Sequence, residues 1–201
     1  MGEKNLPENV EIIDNFLEES DFARLQEYIM GNGFDWYYLD GVTYPPAHTN
    51  PENEPWWEKL TPEERKIEED GFLFVNVLYS DNTPNSSDYD MLRPALDKLD
   101  IMSLWRIKVN LLTRTPTHVQ YADHVDIFPL ENDERANQWR TAVLYINDNN
   151  GWTRFADGTT CESVANRLLI FPSHLWHTSV TCTDEKTRVL INFNFYQNNS
   201  N

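Results

Sequence analysis

The 201-residue chain is short of cysteine, of positive charge, of long apolar runs and of repetition. Cys161 and Cys182 are its only cysteines, and no Cys-x-x-Cys pair occurs. Two thiols in a chain of this size suggest a reducing compartment rather than a disulfide scaffold, and both read as ordinary core thiols. Lys and Arg number 16 against 33 Asp and Glu, a formal net charge of −17, and the basic residues form no run. Nucleic-acid affinity comes mostly from neutralising phosphates with such residues. Duplex or single-strand binding is therefore disfavoured, and a basic or neutral partner fits the field better. No apolar stretch approaches the roughly eighteen residues that a membrane span needs. The acidic segment 1–11 lacks the apolar centre of a signal peptide, and Leu6 stands where N-myristoylation after Gly2 wants Ser or Thr. The expectation is a cytoplasmic protein without membrane contact. With no internal repeat and no low-complexity segment, one domain spanning residues 1–201 is expected.

The hydrophobic pattern changes character near residue 104. Before it, residues 8–16 begin as a short strand. Ser20 then caps a helix whose Phe22, Leu25, Tyr28 and Ile29 recur at helical spacing, and Gly31 to Gly33 ends it. Phe34 opens an aromatic, proline-rich stretch through Trp57. Thr61-Pro62-Glu63-Glu64 is a helix start, with Pro in the first turn and Glu three residues after the cap. A strand over 71–79, a turn-rich loop over 81–87 and a helix from about Tyr89 to Leu99 follow. Beyond residue 104, short strands alternate with turn signals, as in a barrel or sandwich. They are expected over 104–114, 119–125, 140–147, 153–155, 167–171, 176–182 and 188–195. Asp148-Asn149-Asn150-Gly151 reads as a hairpin turn. Helices first and strands after, with no βαβ alternation, argue a mainly β core buttressed by N-terminal helices.

The chemistry is concentrated in four residues. His124 and Asp126 are separated by one residue, so on an extended strand both point to the same side while Val125 faces away. His177 arrives about fifty residues later and Arg188 follows on the next strand. Two imidazoles and one carboxylate are what a mononuclear Fe(II) centre uses when it keeps one face of its octahedron open. A bare His-x-Asp is a weak signal. Here, however, none of His48, His118, His174 and His177 is followed two places on by an acid. Val189-Leu190-Ile191-Asn192-Phe193 after Arg188 is too apolar for an edge strand, which argues against a surface arginine.

Several stretches carry a family resemblance. Tyr121-Ala122-Asp123-His124-Val125-Asp126, Arg140 to Asn147, Asn166 to Ser173, Trp176-His177-Thr178-Ser179-Val180 and Thr187 to Phe193 resemble the Fe(II)- and 2-oxoglutarate-dependent oxygenases. Within these they are similar to the prolyl-hydroxylase-like branch and its small bacterial and phage forms. The resemblance implies a double-stranded β-helix (jelly-roll, cupin-like) core over about 104–196, supported by a helical part over about 1–103. It implies Fe(II) held by His124, Asp126 and His177, and 2-oxoglutarate held by Arg188 with Tyr145. Ascorbate is a further candidate cofactor. The reaction implied is hydroxylation of a C–H bond, with a peptidyl proline or another amino-acid side chain as target. The partner is then a peptide, a protein or a small molecule. Collagen-type prolyl hydroxylases place lysine where Arg188 stands, whereas oxygen-sensing ones have arginine. The sensing type also has a tyrosine ten residues before the first ligand, and that position is Arg114 here.

Other residues are weaker candidates. His174 is near His177 but outside the matching stretch, and His118 reads as structural or solvent-facing. Asn110 and Thr153 could touch co-substrate or substrate, or could be satisfied core groups. Trp139 and the loop 131–135 are candidate lid elements. Two other classes compete with the oxygenase. A cupin-like isomerase or dioxygenase without 2-oxoglutarate usually presents His-x-His with a later Glu, which is absent. A non-catalytic β-sandwich binding module would make the ligand set an accident.

Overall fold

Alternation of side chains along the longest strands decides the architecture. The computed structural model describes residues 6–43, 60–127 and 138–197. Among them the order is β1 (Glu11–Ile13), α1 (Glu19–Met30), β2 (Tyr37–Leu39), α2 (Pro62–Glu69), β3 (Leu73–Ser80), β4 (Thr83–Pro84), a 3₁₀ helix (Ser87–Leu92) and α3 (Arg93–Lys98). Then come β5 (Ser103–Thr113), β6 (Trp139–Tyr145), β7 (Trp152–Phe155), β8 (Thr160–Glu162), β9 (Leu168–Pro172), β10 (His177–Val180) and β11 (Thr187–Tyr196). A large antiparallel sheet runs β1-β9-β6-β11-β5-β3-β2 with β4 on β3, and a small one runs β10-β7-β8.

On β11, Val189, Ile191, Phe193 and Phe195 join one buried cluster. Ile107 and Val109 of β5, Ala142 and Leu144 of β6, and Phe22, Leu25 and Ile29 of α1 belong to it too. One step out of phase, Leu190 packs with Val143, Tyr145, Phe155 and Cys161, the last two from the small sheet. Period-two alternation therefore gives the large sheet two apolar faces, one against helices and one against the small sheet. Arg188, Leu190, Asn192 and Asn194 share this second face of β11. Arg106, Lys108, Asn110 and Leu112 share it on β5, directly opposite in the register. The polar residues of the site thus line up between the sheets.

Several local expectations give way to tertiary packing. Ser20 lies inside α1; Glu18 holds the capping position without a side-chain bond. The helix start is fixed from outside by Asn166, whose side chain accepts from Leu17 N at 2.9 Å and donates to Leu17 O at 2.8 Å. The expected helix over 89–99 is divided into the 3₁₀ helix and α3, because Pro94 lacks the N–H that a continuous ladder would use there. The expected strand over 119–125 forms only isolated bridges, Gln120 to Val180 and His124 to His177. The turn 148–151 does not close a hairpin. It carries the chain from β6 in the large sheet to β7 in the small one. Strand β8 went unread, its three residues being too short for a periodic signal.

Other expectations hold. Thr61 and Glu64 form the reciprocal capping box at α2, and β11 lies between β5 and β6, away from any edge. Cys161 and Cys182 are free and buried. Most of the aromatic stretch 34–57 and the loop 131–135 fall outside the described residues. Among the described residues no helix is long and apolar enough to cross a membrane.

Asn166 provides a test of this packing. It is buried, sits at φ +60° and makes both side-chain bonds to Leu17. Asn166→Ala leaves two buried backbone groups unpaired and puts a Cβ-bearing residue without a local hydrogen bond in the left-handed region. We expect a loss of about 2–4 kcal/mol in urea unfolding. Asn166→Gly, free of the second penalty, should lose less; equal losses would contradict the account.

Candidate metal centre

His124 and His177 face each other across a single antiparallel bridge. His124 N–H donates to His177 O and His177 N–H donates to His124 O, both at 2.9 Å. Directly opposed residues of such a pair place their side chains on the same side. The two imidazole centroids accordingly lie 4.5 Å apart. Asp126 reaches the same point from the next turn of chain, held by Asp126 N–H and Ile127 N–H donating to Ser173 O at 3.1 and 3.3 Å. One ligand atom from each of His124, Asp126 and His177 falls within 4.8 Å of the others. Among the described residues this is the group of three or more such side chains that could hold a metal ion.

Each ligand is oriented by a second contact. Nδ1 of His177 lies 2.8 Å from Leu175 O, and Nδ1 of His124 lies 3.4 Å from Ala122 O. A carbonyl only accepts, so each Nδ1 carries the hydrogen and Nε2 keeps its lone pair, as a metal ligand requires. Burial and the nearby His177 push the His124 imidazole down to about 3, so it is neutral at physiological pH. Asp126 accepts from the Thr141 hydroxyl at 2.8 Å and pairs with Arg106 at 3.4 Å. Burial pushes its carboxyl up, but His177, Arg106, His124 and Thr141 outweigh burial and leave it below the ordinary range. A neutral imidazole and a carboxylate kept ionised are the protonation states that bind a divalent cation.

The chain segment carrying His124 rests on helix α2. Glu68 is buried, and its carboxylate accepts from Ala122 N at 2.5 Å and from Thr43 N at 3.2 Å. Burial pushes Glu68 up from its ordinary value. Two backbone segments that line the site are thereby tied to one side chain.

Arg188 lies deeper on the same face and is fully buried. Its guanidinium donates to Ser163 Oγ at 2.8 Å, Thr153 Oγ1 at 3.1 Å and Ser179 Oγ at 3.3 Å. All three partners are neutral hydroxyls, and among the described residues no carboxylate pairs with it. Tyr145 donates its hydroxyl to Thr153 Oγ1 at 2.8 Å, and the Arg188 guanidinium lies 5.5 Å from its ring centroid. Burial pulls Arg188 down and pushes Tyr145 up, so the phenol stays a neutral donor. Gly151 makes room for this arginine: a Cβ there would meet Arg188 Cδ at 2.7 Å. A cavity of about 60 Å³ is lined by His124, Asp126, His177, Lys108, Asn110, Thr153, Ser179 and Asn192.

Of the residues expected from sequence, His124, Asp126, His177, Asn110 and Thr153 line this cavity, and Arg188 and Tyr145 sit behind it, bonded to its Thr153. His118 is exposed and bonded through Nδ1 to Thr181 O, and His174 takes no part in the cluster. Trp139 packs on Tyr196 and Trp105. The turn 149–152 lines a separate, wider groove of about 950 Å³ whose lining includes none of the three ligands. Arg106, Lys108, Thr141, Ser163, Ser179, Asn192 and Glu68 were missed. Strand alternation from Arg188 and Asn110 would have marked Asn192, Lys108 and Arg106 as inward-facing.

No protein-family model and no curated protein sequence matches the chain. Solved structures do. A prolyl-4-hydroxylase from Pseudomonas putida is 16% identical with a TM-score of 0.53, covering 96% of this chain and 94% of its own. A prolyl hydroxylase from Trichoplax adhaerens, solved with a peptide of the hypoxia inducible factor oxygen degradation domain, is 13% identical with a TM-score of 0.55, covering 95% and 84%. A viral collagen prolyl hydroxylase from Paramecium Bursaria Chlorella virus-1, in its 2-oxoglutarate complex, is 12% identical with a TM-score of 0.54, covering 96% and 98%. At these identities the likeness establishes a shared fold alone, a jelly roll built of two β sheets.

The ligands should also reveal themselves in the acid stability of the metal-free protein. The folded His124 takes a proton only near pH 3, whereas the unfolded chain takes it near the ordinary 6.5. Lowering the pH across that window therefore favours unfolding, and Asp126 acts in the same direction below its ordinary 3.8. Stability in urea should fall as pH drops from about 6.5 to about 4, and His124→Gln should reduce that slope by up to about one proton. An unchanged slope would mean that His124 is not buried as a neutral imidazole.

Proposed function

We propose that this protein is an Fe(II)- and 2-oxoglutarate-dependent dioxygenase that hydroxylates a C–H bond of an amino-acid side chain, with a peptidyl proline as one candidate target. The observation that carries the reading is Arg188. A fully buried guanidinium bonded only to hydroxyls is costly unless an anion completes it. It lies on the face of β11 that carries Asn192 toward the metal ligands. A dicarboxylic 2-oxo acid, chelating at one end and anionic at the other, meets both needs. A metal site working without such an acid would leave the cation uncompensated.

The residues divide the work. His124, Asp126 and His177 would hold Fe(II) by three positions on one side, leaving the rest for exchangeable ligands. Thr141, Arg106 and the carbonyls of Leu175 and Ala122 fix the orientation of those ligands. Arg188 would take the far carboxylate through a bidentate, permanently charged contact, with Tyr145 and Thr153 as neutral partners. Fe(II) held there would, with 2-oxoglutarate and dioxygen, supply the oxidising power for a reaction that releases succinate, CO2 and the hydroxylated product. The β sheets on either side would shield such an acid from water. A reducing, cytoplasmic setting agrees with two free, buried thiols. The net charge of −17 favours a partner that is not a nucleic-acid duplex.

The test is succinate formation from 2-oxoglutarate. His124→Ala, Asp126→Ala and His177→Ala should each abolish it, because a three-ligand site has little affinity to spare, while His118→Ala and His174→Ala keep most of it. Arg188→Ala should retain the metal but bind 2-oxoglutarate at least about 30-fold more weakly, the cost of removing one partner of a buried charge pair. Tyr145→Phe, losing one neutral bond, should change affinity only several-fold. Wild-type affinity in Arg188→Ala would sink the assignment.

A further inference from the structure

The cavity and the surface have opposite signs. The chain as a whole is strongly acidic, yet β5 presents Arg106 and Lys108 in succession on the face turned toward the metal ligands. Arg106 is engaged, reaching Asp126 at 3.4 Å and Asn194 Oδ1 at 3.1 Å. Lys108 is half-buried and lines the cavity with His124, Asp126 and His177, and among the described residues no carboxylate lies within ion-pair distance of it. Directly opposite it in the register stands Asn192, whose Nδ2 faces Asp126 at 3.4 and 3.5 Å. That contact fixes the amide, since the reverse orientation would set its oxygen against a carboxylate. Asn192 Oδ1 is therefore turned away from Asp126, buried and without a hydrogen-bond partner. Asn110 Oδ1, one inward step along β5, is buried and unpartnered too.

The roles given above to the co-substrate, chelation at the metal and pairing with Arg188, leave Lys108 and the two amide oxygens unassigned. A divalent ion, one carboxylate ligand, a dianionic 2-oxo acid and Arg188 already reach neutrality among themselves. Arg106 and Lys108 then remain as excess positive charge in a partly closed space, which is unfavourable unless an anion offsets it. Beside that cation stand acceptors that call for an N–H donor. A cation and two acceptors within one small cavity complement a carboxylate next to an ammonium group.

We propose that the primary substrate is a free α-amino acid, whose carboxylate is bound by Lys108 while the side-chain oxygens of Asn110 and Asn192 accept from its ammonium group. This rests on the oxygenase reading and narrows its target from an amino-acid side chain in general to one on an unblocked amino acid. The acidic exterior does not conflict with it, because a zwitterion carries no net charge to be repelled.

The test is calorimetric titration of the Mn(II)-loaded protein, saturated with 2-oxoglutarate, with each proteinogenic L-amino acid and with its carboxamide. At least one amino acid should bind, and its carboxamide at least about tenfold more weakly. Lys108→Met, similar in length and apolar, should bind that amino acid at least about tenfold more weakly and 2-oxoglutarate within about twofold of wild type. The carboxamide comparison uses wild-type protein and does not depend on the variant folding. If 2-oxoglutarate binds but no amino acid does, or if acid and carboxamide bind alike, this inference fails and the oxygenase reading stands. Loss of 2-oxoglutarate affinity in Lys108→Met would assign Lys108 to the co-substrate and overturn the inference. Failure of the wild type to bind 2-oxoglutarate would overturn both.

Discussion

The reciprocal main-chain pair between His124 and His177 is the constraint on which the candidate site depends. These residues belong to distant parts of the chain, and the two 2.9 Å bonds between them do what a continuous strand would otherwise do. They set the two rings on one side at 4.5 Å and leave Asp126 the remaining approach. The bridge needs support because it stands alone. Glu68 supplies it from α2 by holding Ala122 N, and Ser173 supplies it from the end of β9 by holding Asp126 N. Shape therefore comes from backbone hydrogen bonds, while the side chains remain free for chemistry.

Electrostatics explains why these polar groups lie between two apolar layers. Buried charge is tolerated when it is paired or awaits a partner. Asp126 is paired several times over. Arg188 has hydroxyls from β7, β10 and the residue just after β8, so the small sheet exists as much to clothe this cation as to pack on Tyr145 and Leu190. Gly151 belongs to the same arrangement, since any side chain there would occupy the path of the arginine. Lys108 stands on the same face of the large sheet, one strand over from Arg188, with no carboxylate within ion-pair distance among the described residues.

Much of this was legible in the sequence for local reasons. His124 and Asp126 are two residues apart and both reach the site, although Asp126 arrives from a bend held by Ser173 rather than along a continued strand. Arg188 was identifiable because the apolar run behind it could only be a central strand. Tyr145 came from the resemblance of its strand, and its burial comes from packing with Phe155, Cys161 and Leu190 between the two sheets. What escaped reading depends on register across distant strands. Asn192 meets Lys108, and Thr141 meets Asp126, only because β5, β6 and β11 pair as they do. The turn at 148–151 was misread because the same Asn and Gly residues serve a hairpin or a sheet-to-sheet crossing. Its glycine answers to Arg188 rather than to the turn. Ser20 lost its capping role because Asn166, far along the chain, anchors Leu17 and fixes where the helix begins.

The central claim is that one ion and one 2-oxo acid occupy this site together, bridged in the fold by His124, Asp126, His177 and Arg188. Anaerobic titration of the protein with Fe(II), with and without 2-oxoglutarate, tests it directly by visible absorption. The account predicts a weak charge-transfer band that needs both components and saturates at one ion per chain. A band that forms with Fe(II) alone, or none when both are present at saturating concentration, would contradict it.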